Sequence, residues 1–173
     1  MKQTFKHRPN LKITADFSQE NPPLFRYQLS ASKIGANVRP KTVCAIMQNP
    51  SYACEEFADK SVQVLERVIF EKNLNEFKDV ERLIIVNQFG FIQTNNFVGT
   101  DAQIGELNKI AINNALKDAD IILIAWGKDN KYMHLQKEIL NMIRNSGEKI
   151  LLQTSRHPSR VIYKGFIQKY YNI

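Results

Sequence analysis

His157 stands in "QTSRHPSRVIYKGF", residues 153–166, where an apolar run drops into a His-Pro-Ser turn with cations and aromatic rings close behind. Three other stretches share that character: "MQNPSY" (47–52), "VNQFGF" (86–91) and "AWGKDN" (125–130). Each is polar or turn-forming directly after an apolar run, and three of the four offer an amide or imidazole able to address a small planar ligand. An amide such as Asn49 or Asn87 presents a donor and an acceptor together, which suits the edge of a base. Taken singly, the residues have ordinary readings. Asn-Pro is a common turn, Asn87 could cap a strand, and His157 could be a surface histidine. Four such exits at one sheet edge point instead to a site.

The elements that must position them alternate from residue 41 onward. "TVCAIM" (42–47), "RLIIVN" (82–87), "DIILIAW" (120–126) and "KILLQT" (149–154) read as strands apolar enough to be covered on both faces. Between them, Val62, Leu65, Val68 and Ile69 form one helical stripe, Ile104, Leu107, Ile110 or Ala111 and Ala115 a second, and Leu135, Ile139, Leu140 and Ile143 a third. This alternation predicts an α/β chain: a three-layer α/β/α arrangement with a central four-stranded parallel sheet. Ligands of such sheets bind outside the carboxyl ends of the strands, where the four exits fall. Residues 1–173 read as a single domain, with 41–173 the core and 1–40 an N-terminal extension carrying an edge strand or hairpin. The first twenty residues are expected to be partly mobile. Tyr163, Phe166, Tyr170 and Tyr171 recur at roughly helical spacing and predict a terminal helix.

The 24 basic against 17 acidic residues give a formal charge of +7, unevenly placed. Residues 1–40 hold seven Lys/Arg against Asp16 and Glu20, and after Glu148 there are five cations and no acid. Clustered cations suit a polyanion such as nucleic acid through counterion release, although charge alone equally suits solubility. Cys44 and Cys54 form neither a CxxC nor a disulfide framework, so reduced thiols and a cytoplasmic location are expected. No signal-peptide core and no membrane-spanning length is found, so no membrane association is expected.

Gln48-Asn49-Pro50-Ser51-Tyr52 resembles the Gln-Asp-Pro-Tyr-His motif after the first strand of uracil-DNA glycosylases. Asn87, closing "LIIVN", is similar in place to that family's base-reading asparagine, "IAWG" to its third strand, and "ILLQTSRHPSRVIYKGF" to its final strand and His-Pro-Ser loop. The likeness runs in order over about residues 41–170. The chain also resembles a smaller group of bacterial and phage-borne domains of unknown function that share the NPS and HP signatures. The resemblance implies a DNA glycosylase acting on a flipped base without metal or organic cofactor. Asn49 and His157 would be catalytic, and Gln48, Ser51, Phe57 and Asn87 would bind the base, with Phe89 or Phe91 as weaker candidates for the stacking ring. Arg156, Ser159, Arg160 and Lys164 would grip DNA. The protein would be a monomer.

Two departures qualify that expectation. Asn49 stands where the uracil enzymes place a water-directing aspartate, and an amide cannot accept a proton; Asp59, Glu55, Glu56 and Asp129 are substitute carboxylates to consider. Ser51 stands in place of a bulky tyrosine that excludes C5-substituted pyrimidines. The expected activity is therefore monofunctional release of a C5-modified or mismatched pyrimidine, with antiphage defence as its purpose. Lys128 is the one lysine near the exits, and it carries little weight as a nucleophile. The rival expectations are an inactive nucleic-acid-binding module, a nucleoside or nucleotide hydrolase, and an RNA-directed enzyme.

Overall fold

The computed structural model describes residues 4–128 and 131–171. Among these, one sheet is built from β1 (Leu11–Phe17), β2 (Arg26–Lys33), β3 (Lys41–Met47), β4 (Val80–Asn87), β5 (Ile121–Ile124), β6 (Ile150–Thr154) and β7 (Ile167–Lys169), in the order β1-β2-β4-β3-β5-β6-β7. Helices α1 (Lys60–Phe70), α2 (Asn108–Asp118) and α3 (Met133–Asn145) connect β3 to β4, β4 to β5 and β5 to β6. The chain is thus α/β, but the expected central four-stranded parallel sheet is overturned: the sheet has seven strands and is mixed. Pairing is parallel for β4–β3, β3–β5 and β5–β6, and antiparallel for β1–β2, β2–β4 and β6–β7. The physical reason is that bare edges of the parallel strands present unpaired backbone groups, and the N-terminal hairpin and the C-terminal strand cover them.

Alternation along β3 explains how the layers form. Val43, Ala45 and Met47 face a core shared with Val62, Leu65, Val68 and Ile69 of α1, while Cys44 and Ile46 face a second core with Ile112 and Leu116 of α2 and Leu135, Ile139 and Ile143 of α3. Burying one such aliphatic side chain contributes roughly 1.5–3 kcal/mol. Helix α1 starts where Asp59, in extended conformation, accepts from the Val62 amide at 2.9 Å, which satisfies an otherwise orphaned donor. After β3 the chain moves through α1 to β4 on one side, then crosses back through α2 to β5 on the other. The strand order therefore reverses at β3, opening a crevice at the carboxyl ends there.

One other expectation is corrected, and the N-terminal segment has a definite place. Within the first twenty residues, 11–17 form β1, and the segment before it is tied to the loop that leads into α1. Phe5 and Ala58 exchange both backbone hydrogen bonds, at 3.1 and 2.9 Å. His7 places Nδ1 2.5 Å from Glu66 Oε1 and Nε2 2.8 Å from the Cys54 carbonyl oxygen, and the Arg8 amide donates to Glu66 Oε2 at 2.8 Å. The expected terminal helix is not found among the described residues, and residues 167–169 pair with β6 as β7. Gly165, at φ +64°, turns the chain back onto that open edge.

Candidate functional site

A cavity of about 700 Å³ opens at the carboxyl ends of the parallel strands. Gln48, Asn49 and Ser51 enter it from the exit of β3, and Arg156, His157, Ser159 and Arg160 from the exit of β6. These seven of the expected site residues are brought together. Phe57, 39% exposed, and Lys164, also exposed, do not line the cavity. Phe89 packs edge-on against Phe97 and Tyr132 in the core, and Phe91 packs against Phe25. The rings that reach the cavity are Tyr52, Phe97 and Trp126.

His157 is held by its own turn. Nδ1 accepts from the Ser159 amide at 3.3 Å and lies 2.9 Å from Ser159 Oγ, which leaves Nε2 as the nitrogen that carries the proton and can donate. Burial lowers the imidazole pKa from its usual value; Asp59 opposes that shift and Arg160 adds to it. The ring is therefore a neutral donor at neutral pH. Gly127, at φ +87°, passes so close that a Cβ there would sit 3.3 Å from the His157 nitrogen and 3.4 Å from its Cβ.

Asn49 is fixed by donation. Its Nδ2 bonds the Gln93 carbonyl oxygen at 2.6 Å and the Pro50 carbonyl oxygen at 3.2 Å, leaving Oδ1 as the end that can accept. Ser51 Oγ lies 2.8 Å from Thr94 Oγ1. Gln93 and Thr94 belong to the long segment after β4, which also brings Phe97 to the cavity. Gln103 stitches that segment by bonding Gln93 Oε1 and the amides of Gly99 and Thr100. Sequence reasoning missed this wall, because its residues meet the site only through tertiary folding and follow no strand directly.

Asn87 lies beneath the cavity and does not line it. It pairs in register with Met47, which does line it, and is 1% exposed. Its Nδ2 and Oδ1 have no hydrogen-bond partner among the described residues, and neither do the amide atoms of Gln88 beside it. Asn108 donates to the backbone carbonyls of both residues at 3.0 Å and holds this strand end in place. Leaving such groups buried and unpaired costs about 1–3 kcal/mol each, a burden usually found where a polar ligand or water is engaged.

Of the substitute carboxylates, Asp59 lines the cavity. Glu55 accepts from the Ala15 amide at 2.9 Å, Glu56 is exposed, and Asp129 lies outside the described residues. Lys128, with Lys60, contributes positive charge to the lining. Arg26, wholly buried, went unnoticed in the sequence. Its Nη1 donates to the Ala53 carbonyl at 2.9 Å, Nε and Nη2 are unpaired among the described residues, and burial lowers its pKa. Among the described residues, no group of three or more His, Cys, Asp or Glu is placed to hold a metal, and no helix is long and apolar enough to cross a membrane.

This α/β chain with a polar cavity at its strand exits is matched by the family model described as protein of unknown function (DUF1643) over residues 26–159. The chain belongs to that family. No curated protein and no solved structure matches it. The likeness to uracil-DNA glycosylases therefore rests on the motifs alone.

Proposed function

We propose that this protein is a monofunctional DNA glycosylase, related to the uracil-DNA glycosylases, that hydrolyses the N-glycosidic bond of a flipped, C5-modified or mismatched pyrimidine. The observation that carries the reading is the meeting of His157 and Asn49 in one cavity. His157 offers a neutral Nε2–H donor for the base oxygen on which charge develops, and Asn49 offers an acceptor for a water. Base release requires a flipped nucleotide, and a pocket of about 700 Å³ is ample for one base. Tyr52, Phe97 and Trp126 supply faces for stacking, and Gln48 supplies an amide in the lining that suits a base edge. Arg156, Arg160, Lys60 and Lys128 favour a polymer over a free nucleoside. The protein would act on DNA as a cytoplasmic monomer, with defence against phages that modify their bases as its role.

One observation favours a second reading. Asn49 has its nitrogen committed to backbone carbonyls and no carboxylate at its own position, which suits a module that binds nucleic acid without cleaving it. Duplexes carrying uracil, mismatched bases or C5-substituted pyrimidines, incubated with the protein and then treated with alkali, decide between the two. Strand scission at the target position is expected. Binding without scission on every duplex would favour the inert module.

A further inference from the structure

We propose that Asp59 is the proton acceptor of this site, a deduction that rests on the glycosylase reading above. Asp59 is the one carboxylate among the described residues that line the cavity, and it is 7% exposed. One oxygen is spoken for: Oδ1 accepts from the Val62 amide at 2.9 Å, which locks the side chain against the first turn of α1. Asp59 thereby reaches the cavity from the start of α1, with Oδ2 as its remaining oxygen. A carboxylate locked through one oxygen is held in a fixed orientation.

The remaining lining leaves the role to this residue. Asn49 can hold a water through Oδ1 but cannot take its proton. His157 Nδ1 is occupied by Ser159, and its Nε2–H is a donor. Lys60, Lys128, Arg156 and Arg160 are cations. Hydrolysis nonetheless needs a proton acceptor and a negative charge facing the sugar carbon as it becomes cationic. The loop that carries Asp59 is also held on two sides. Ala58 exchanges backbone bonds with Phe5, and Arg26 holds the Ala53 carbonyl. Asp59 and His157 share the cavity lining, and the Asp59 charge acts on both the imidazole and the buried Arg26 guanidinium.

In the proposed step the bond between the sugar C1′ and the base nitrogen breaks, and its electron pair leaves with the base, whose oxygen accepts from His157 Nε2–H. A water held at Asn49 Oδ1 forms the new C–O bond to C1′, and its proton passes to Asp59 Oδ2. The departing base anion takes its proton from solvent.

Asp59→Asn tests this cleanly, because asparagine caps a helix about as well as aspartate and so spares α1. Single-turnover base release and duplex affinity are measured for the parent, Asp59→Asn and Glu56→Gln, whose exposed carboxylate lies outside the cavity. The expected result is a loss of roughly 100- to 10,000-fold in release for Asp59→Asn, as for removal of a general base, with duplex affinity retained and Glu56→Gln at the parental rate. Parental activity with an undiminished rate in Asp59→Asn overturns the role of Asp59 and leaves the glycosylase reading standing. A parent that releases no base from any duplex overturns both. Loss of affinity in Asp59→Asn to the same extent as loss of release would assign Asp59 to binding and also overturn the proposal.

Discussion

Asn49 donates from Nδ2 to the Gln93 carbonyl oxygen across 2.6 Å, tying the exit of β3 to the segment after β4. An aspartate could not make that bond, because it would set two acceptors against each other. Asn49→Asp is therefore expected to destabilise the protein by about 1–3 kcal/mol, the cost of leaving a part-buried acceptor unpaired. The midpoint of urea unfolding measures it, and an unchanged midpoint would mean that the bond is not maintained in solution.

His157→Ala is expected to slow base release by roughly two to three decades, equivalent to about 3–4 kcal/mol of barrier, the usual effect of removing one preorganised donor to a developing anion. Thermal unfolding at neutral pH should shift little, since the ring makes its bonds within its own turn. A variant that releases base at the parental rate would take His157 out of the mechanism.

His7 and His157 should respond to pH in opposite senses. Burial disfavours charge on His7, but the Glu66 carboxylate and the Cys54 and Phe57 carbonyls outweigh it and raise its pKa above the ordinary 6.5. Both ring nitrogens face acceptors, so the bound form is the imidazolium. Its contribution is complete below pH 6.5 and is lost as pH rises through the raised value. The pKa of His157 is lowered in the fold, so its contribution is present above 6.5 and is lost as pH falls toward the lowered value. Melting temperatures between about pH 5 and 9 should lose their alkaline decline in His7→Gln and part of their acid decline in His157→Gln. Superimposable profiles for all three proteins would refute both assignments.

Arg156 and Arg160 line the cavity and Lys164 stands beyond it. Neutral substitutions at the two arginines should reduce the slope of log affinity against log salt by about 0.9 for each phosphate that is no longer neutralised. A smaller effect is expected at Lys164. Slopes that do not move would place the DNA face elsewhere.

Ser51 leaves space that an aromatic side chain would fill, and its hydroxyl meets Thr94 on the opposite wall. Ser51→Tyr should exclude C5-substituted pyrimidines while sparing activity on unsubstituted ones, because steric clash rejects a ligand more strongly than an absent attraction does. Competition between the two duplexes reads the effect. Equal loss on both would show that residue 51 does not face C5.

The sequence announced the parts of this molecule that bury long aliphatic side chains. β3, β4, β5 and β6 stand out as apolar runs because both of their faces are covered, and α1 because its stripe is regular. β1 alternates half-buried with exposed residues, and β2 holds Arg26, Ser30 and small residues where an aliphatic run would draw notice. β7 is three residues long and its aromatic neighbours mimic a helical period. The site divides in the same way. Residues directly after apolar strands, such as Asn49 and His157, were legible; Phe97 and Gln93 arrive on a long segment whose course only tertiary packing determines. Phe57 was misplaced for the converse reason: proximity in sequence to the motif did not turn its ring inward.

The N-terminal segment has a bearing on how occupancy of the site would be felt at a distance. Phe5 and Ala58 hold each other by a pair of backbone hydrogen bonds, and Asp59 is the next residue along. Order at one end of that pair is order at the other, and the dependence runs both ways. A ligand that steadies residue 59 should therefore slow hydrogen exchange at the amides of Phe5 and Ala58, and trimming the chain back past Phe5 should weaken that ligand without removing any atom that touches it. The strand-like contact at Phe5 would act as a remote ballast for the pocket.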